Sequence, residues 1–223
     1  VSKITPLTFG MSKLHIIEDR GNIIVDTGCI EEKEKYEAAF AEIGIDPKTI
    51  ELIILSHGHW DHYARANELK ELTGAPVLCH KNALPAIQTG KNSPMSPRGE
   101  MGKRFLELIA HELNVQMEPV VPDIVIDSTY DLAPFGVAGK IIYTPGHSEC
   151  SVSVLLDSGE AIVGDMIIDS PFTNIPCLSL IVSDEAKLRD SLRTLLKTTH
   201  TFYGGHSGPY TKEVVASLIE KTE

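Results

Sequence analysis

The sequence predicts an α/β protein in which sheets carry helices on their outer faces. Three features predict it. Apolar strand-like runs and amphipathic helical runs alternate loosely along the 223 residues. Several strand-like runs are joined by short turn signals, which makes hairpins part of the sheets and argues against a purely parallel doubly wound array. No tandem repeat, low-complexity tract or linker divides the chain, so a single domain over 1–223 is expected.

The runs LHIIED and NIIVDTG flank Arg20-Gly21 and read as a hairpin. EEKEKYEAAFAEIG follows, with Tyr36, Ala39, Phe40 and Ile43 on one helical face and Gly44 as its stop. After the turn signal Asp46-Pro47, ELIILS reads as a buried strand. ARANELKEL is helical, and Gly74-Ala75-Pro76 breaks it before the strand PVLCH. The segment from about 82 to 122 departs from this rhythm. KNSPMSPRGEMG is turn-rich, and KRFLELIAHEL has helical spacing through Phe105, Leu108, Ile109 and Leu113, so a helical insertion between strands is expected. That stripe reads as core more readily than as a substrate cover. Short strands then return in DIVIDSTYDL, GKIIYTPG and CSVSVLLDSGEAIVGDM, the last folding back at Asp157-Ser158-Gly159. SDEAKLRDSLRTLLK is a helix with Ser183 as its expected N-cap; TFYGGHSGPY is a strand and loop, and TKEVVASLIEKTE a closing helix.

Thirty-one acidic against 20 basic residues give a net charge of −11. Such a surface repels polyanions, so nucleic acid is not expected as a partner and a small-molecule substrate is. No apolar run approaches the roughly 20 residues that span a bilayer, and VSKITPLTFG has no leader core. A cytoplasmic protein without a membrane anchor is the expectation. Cys29, Cys79, Cys150 and Cys177 never form C-x-x-C and read as reduced thiols.

Four loci carry the chemistry: HGHWDH (57–62), TPGHS (144–148), IVGDM (162–166) and YGGHS (203–207). In each, a metal-capable side chain follows an apolar strand beside glycine. The donors are His57, His59, Asp61, His62, His147, Asp165 and His206. A catalytic zinc uses three protein ligands and a water, so seven donors are too many for one ion. Two ions sharing one carboxylate use seven naturally. Imidazole and carboxylate without thiolate suit two divalent ions, zinc first, with iron or manganese compatible.

H-x-H-x-D-H followed in order by a distant His, an Asp and a late His resembles the metallo-β-lactamase-fold superfamily, and IIVDTG, TPGHS, VGDM and GGH match along almost the whole chain. The resemblance implies an αβ/βα four-layer sandwich with metals at one sheet edge. It implies that His57, His59 and His147 hold one ion, that Asp61, His62 and His206 hold the other, and that Asp165 bridges. An aspartate at 165 is similar to glyoxalase II and the lactonases, whereas true β-lactamases usually carry cysteine or serine there. His59 separates the chain from flavodiiron oxidoreductases. The C-terminal helical domain of glyoxalase II has no counterpart here.

The function implied is hydrolysis by a metal-bridging hydroxide, with Asp61 orienting the nucleophile or taking its proton. Thioesters and lactones rank above phosphodiesters, and β-lactams come last. The alternative is a mononuclear iron persulfide dioxygenase using the same ligands; a non-catalytic metal-binding member is a third reading. Asp26 is equally readable as a partner that fixes a ligand and as a turn stabiliser. His15, His80, His111 and His200 read as ordinary histidines and Cys150 as a packed thiol. Trp60 and Tyr63 are read equally as pocket wall and as packing, and Tyr203 and Tyr210 as possible substrate donors.

Overall fold

In the computed structural model, residues 2–30 and 32–220 are described. The first residue of the EEKEKYEAAFAEIG segment and the last three of the closing helical run lie outside them. One six-stranded sheet has the order β1 (Lys3–Phe9), β2 (Ser12–Glu18), β3 (Asn22–Val25), β4 (Ile50–Ile54), β5 (Val77–His80) and β6 (Ile124–Ile126). Its first three strands pair antiparallel, with the hairpin at Arg20-Gly21, and the rest run parallel. The second sheet contains β7 (Tyr130–Asp131), β8 (Gly139–Tyr143), β9 (Val152–Leu156), β10 (Glu160–Ile162), β13 (Thr201–Tyr203) and β14 (Tyr210–Thr211). A hairpin of β11 (Ile167–Asp169) and β12 (Pro176–Leu178) stands apart. Sequence patterning did not resolve it.

The layers follow from period-two alternation. Along β3 and β4, Ile24 and Ile53 point to one side, where they pack with Tyr36 and Phe40 of α1 (Lys33–Glu42) and, beyond the short helix α2 (Trp60–Tyr63), with Leu69 of α3 (Ala66–Thr73). Ile23, Val25, Leu52 and Ile54 point to the other side and meet Val152, Val154, Leu156 and Ile162 of the second sheet. The outer face of that sheet offers Ala161 and Phe202 to α6 (Glu185–Leu195) and α7 (Lys212–Glu220), through Leu188, Leu192, Val215 and Leu218. Three apolar layers between four structural layers make the expected αβ/βα sandwich. Both faces of β3 and β4 are covered, which is why they read as unbroken apolar runs. Among the described residues no helix is long and apolar enough to cross a membrane.

Two boundaries differ from expectation. Asp184, not Ser183, caps α6 by accepting a hydrogen bond from Lys187 N, while Ser183 Oγ donates to the Gly146 carbonyl. Within 82–122, α4 (Leu84–Ile87) precedes α5 (Gly99–Leu108), so the helix starts inside the stretch read as turns and ends before Leu113. Gly102 lies in the first turns of this helix, against the Leu180 loop. A Cβ there would lie 2.4 Å from the Leu180 carbonyl oxygen, so only glycine lets this turn of helix pack so closely.

The topology also sets where loops converge. β3 and β4 are parallel, and β8, β10 and β13 share one direction because β9 reverses between β8 and β10. Val152 N donates to Ser56 O and closes the gap between the sheets where β4 ends. The loops after β4, β8, β10 and β13 therefore meet at one edge of the sandwich.

Candidate metal centre

All seven sequence-predicted donors sit in those loops. His57 and His59 follow β4, and Asp61 and His62 lie on α2, which begins at Trp60. His147 follows β8, Asp165 follows β10 and His206 follows β13. They form two clusters: His57, His59, His147 and Asp165 in one, Asp61, His62 and His206 in the other. All but His206 are buried.

In the first cluster His57 Nε2, His59 Nδ1 and His147 Nε2 form a triangle with sides of 3.1, 2.9 and 3.2 Å. Corners of a tetrahedron around an ion with bonds of about 2.0 Å are roughly 3.3 Å apart, so three imidazoles arranged this way suit one small cation. The tautomers of His57 and His147 follow from their partners. His147 Nδ1 lies 2.9 Å from the Ile181 carbonyl, which can only accept, so the proton sits on Nδ1. Ser56 Oγ donates to Asp26 Oδ2 at 2.7 Å and is left to accept from His57 Nδ1 at 2.9 Å. The neutral rings of His57 and His147 thus aim lone pairs at each other with no proton between them. Burial pushes His57 well below its usual range, His59 down to about 3, and His147 down. These are neutral imidazoles, the form a cation needs.

The second cluster has the opposite electrostatics. His62 Nε2 is 3.3 Å from Asp61 Oδ2 and 3.3 Å from Asp165 Oδ1; His206 Nε2 is 3.3 Å from Asp61 Oδ2 and 3.0 Å from Asp165 Oδ2. Burial would lower both histidines, but the carboxylates outweigh it. Asp61, Asp165 and Asp26 raise His62 well above its usual range, and Asp165 and Asp61 raise His206 to about 9. Burial pushes Asp165 up, yet His206 and His62 hold it well below the carboxylate range. Again the far nitrogens fix the rings: His62 Nδ1 donates to Asp26 Oδ2 at 2.9 Å and His206 Nδ1 to the Met11 carbonyl at 2.7 Å. His62 Nε2 and Asp165 Oδ1 are buried without a hydrogen-bond partner, an expense that a cation between them removes. Asp165 Oδ2 is also 3.9 Å from His57 Nε2 and from His147 Nε2, so this side chain lies between the clusters. The donor set fits two divalent ions.

Glycines let the loops close in. Gly146 has φ 142°, and a Cβ on it would meet the backbone of Leu188 at 2.2 Å. On Gly205 a Cβ would lie 2.3 Å from Asp165 Oδ1 and 2.6 Å from His62 Cε1, inside the second cluster.

The family described as the metallo-beta-lactamase superfamily matches residues 8–206, a span that includes all seven donors. The chain belongs to that superfamily. It is 27% identical over 199 residues to the probable metallo-hydrolase YqgX of Bacillus subtilis, covering 88% of this chain and 84% of that protein. It is 26% identical over 178 residues to an N-acyl homoserine lactonase of Bacillus cereus, covering 70% of this chain and 61% of the lactonase. Among solved structures, the B3 metallo-beta-lactamase BLEG-1 superposes with a TM-score of 0.74 at 15% identity, covering 96% of this chain and 97% of that one, a likeness of fold. The chain therefore stands among the metal-dependent hydrolases of the superfamily.

Over the clusters this metallo-beta-lactamase-superfamily chain opens a cleft of about 280 Å³. Asp61, Asp165, His59, His147 and His206 line its base; Trp60, Met95, Phe105, Ile109, Leu113 and Ile168 are prominent in its apolar wall. Glu112 and Asp169 are the other acidic residues of its lining, and among the described residues no lysine or arginine lines it. The Phe105, Ile109 and Leu113 stripe, read from sequence as core, thus faces the cleft, and Leu108 is exposed. The reason is that α5 lies over the loops and not over a sheet. Trp60 lines the cleft; Tyr63 is packed, its hydroxyl on the Lys91 carbonyl. Tyr203 and Tyr210 do not line it. Tyr210 instead bonds Ser207 and Asp169, steadying the loop of His206. Cys150 sits behind the histidine loop, its sulfur accepting from Gly58 N at 3.2 Å.

Asp26 proves to be the partner of two ligand candidates, directly to His62 and through Ser56 to His57. Sequence reasoning left Ser56, Ser179 and Asn92 without a role. Asn92 Oδ1 accepts from Trp60 N, the start of α2, at 2.8 Å. Ser56 had a signal, a hydroxyl between a fully apolar strand and a ligand; Ser179 and Asn92 are distant in sequence and carried none.

Proposed function

We propose that the chain is a single-domain, two-metal hydrolase of uncharged esters that carry an apolar acyl arm, lactones foremost. Residues 82–122 form an insertion that builds the cleft wall. The observation that carries the substrate class is the cleft above the donors, walled by Trp60, Met95, Phe105, Ile109 and Leu113, with no lysine or arginine in that wall among the described residues. Such a wall favours an acyl chain. Its carboxylates Glu112 and Asp169 repel anionic substrates, which places phosphodiesters and glutathione thioesters below lactones. The Bacillus cereus relative, an N-acyl homoserine lactonase, supports the same direction.

His57, His59 and His147 are assigned to one ion and Asp61, His62 and His206 to the other, with Asp165 shared; zinc suits these donors best, and iron or manganese are compatible. When bound, the ions would supply a Lewis acid and would lower the pKa of water from 15.7 to about 7, making hydroxide available at neutral pH. The side chains do the rest. Asp61, on the cleft floor, orients the nucleophile or takes the one proton that water gives up on becoming hydroxide. The apolar wall holds the acyl arm and excludes water from it. Asp26 and the Ile181 and Met11 carbonyls keep the imidazoles in their metal-binding tautomers.

The test is a hydrolysis panel on metal-loaded protein: short- and long-chain N-acyl lactones, a glutathione thioester, a phosphodiester and a β-lactam. Lactone turnover whose kcat/KM rises with chain length is expected. Preference for the glutathione thioester would contradict the substrate class. Oxygen uptake with glutathione persulfide, one bound iron and no hydrolysis would establish the dioxygenase alternative.

A further inference from the structure

We propose that Arg98, outside both clusters, is a positioning residue for His147. The inference rests on the reading of His147 as a metal ligand. Two groups fix the His147 ring, Ser179 Oγ and the Ile181 carbonyl, each 2.9 Å from Nδ1, and Ser179 Oγ itself donates to Ile181 O at 2.8 Å. Both belong to the stretch between β12 and α6, outside either large sheet. Ser179 N donates to Met166 O at 3.1 Å and Ser183 N to Gly146 O at 2.8 Å, which ties the two ends; the peptides between them need a further support.

Arg98 supplies it. Its side chain is 6% exposed, and its Nε donates to Ser179 O at 2.8 Å while Nη2 donates to Leu178 O at 3.1 Å. Its backbone N–H donates to Leu180 O at 2.9 Å. Three consecutive carbonyls, at 178, 179 and 180, are thus bonded by one residue. Val182 N adds a bond to Ser96 O, and Pro97 pairs with Ile181 as an isolated bridge. A guanidinium is a rigid planar fork with fixed donor directions, so it sets the orientation of the peptide units it grips. Burying it is costly unless its donors find acceptors, as Nε and Nη2 do here. The segment that walls the cleft is in this way also the clamp for the His147 acceptors. Arg98 acts on the His147 ring through the Leu178, Ser179 and Leu180 carbonyls, which set where the Ser179 hydroxyl and the adjoining Ile181 carbonyl lie.

The experiment is zinc affinity by chelator competition, with the electronic spectrum of the cobalt-substituted protein reporting coordination, in wild type, Arg98→Ala, Arg98→Lys, Ser179→Ala and His147→Ala. Partners that orient a metal-bound histidine typically change affinity about 10–100-fold. Arg98→Ala is expected to weaken one of the two ions by that factor and leave the other unchanged. Ser179→Ala should weaken the same ion, and the double variant should fall short of the sum because both act on one ring. Arg98→Lys keeps the stem and charge but not the fork, so it should lose part of the affinity; it serves as the test if the alanine variant does not fold. Full affinity for both ions in Arg98→Lys and Ser179→Ala, or an equal loss of both, overturns the proposal. If His147→Ala binds two ions as wild type does, the metal reading itself fails. If His147→Ala loses one ion while the Arg98 variants lose none, only the role of Arg98 fails.

Discussion

Asp26 and His62 meet in the protein interior with Oδ2 2.9 Å from Nδ1, and neither side chain reaches solvent. The same carboxylate takes the Ser56 hydroxyl at 2.7 Å and the Ser56 N–H at 2.7 Å. One buried charge at the end of β3 therefore sets two imidazoles, one in each cluster.

Replacing that charge separates its two readings. Asp26 has φ 61°, a backbone that asparagine also tolerates, so Asp26→Asn keeps the turn and alters mainly the partner of His62 and Ser56. Metal affinity is expected to fall about 10–100-fold, measured by chelator competition. Unchanged affinity would leave Asp26 as a turn residue only.

The two clusters should take up metal with different pH dependence. In the metal-free protein His206 is raised to about 9 and His62 well above its usual range, so both hold protons at pH 7. The other three imidazoles are pushed down and hold none. An ion entering the second cluster must displace protons, so its affinity rises with pH up to about 9. Affinity at the first cluster stays flat over the same range. The linked stability has the matching sign: the contribution of His206 is fully present below about pH 6.5, its unfolded value, and is lost as pH rises through about 9, and that of His62 has the same sign. Calorimetric titration in buffers of different ionisation enthalpy counts the protons. Equal proton release at both clusters would contradict this picture.

The cleft wall should govern substrates and leave the metals alone. Phe105 and Ile109 are only partly buried, so each should give an acyl chain less than the 1.5–3 kcal/mol of full burial, about 1–2 kcal/mol. Phe105→Ala and Ile109→Ala are expected to lower kcat/KM for a long-chain lactone about 5–30-fold at unchanged metal content. Short-chain lactones should be little affected. Equal losses for both chain lengths would remove these side chains from substrate binding. Point substitutions are the right tool, since excising the whole segment would also remove Asn92, Ser93 and Arg98 from the loops they hold.

Much of this was legible in the sequence because metal donors advertise themselves. Seven side chains in four glycine-flanked loops name their own convergence, and apolar runs such as ELIILS mark strands buried on both faces. The partners of those donors were harder to read. Asp26 is close to His57 and His62 only because β3 and β4 pair in parallel. Ser179 reaches His147 with a hydroxyl from a loop distant in sequence, and Arg98 acts through backbone carbonyls, and neither has a sequence signature. The direction of the Phe105 stripe depended on what α5 packs against, and helical spacing alone does not say whether an apolar face meets a sheet or a cleft. The β11–β12 hairpin, two strands of three residues each, was missed.

The most direct test of two ions held by seven side chains is the metal content of the purified, fully loaded protein by elemental analysis, with His147→Ala and His206→Ala beside it. Two ions per chain are predicted for wild type and one for each variant. One ion per chain at full activity, or two ions retained when His206 is removed, would contradict it.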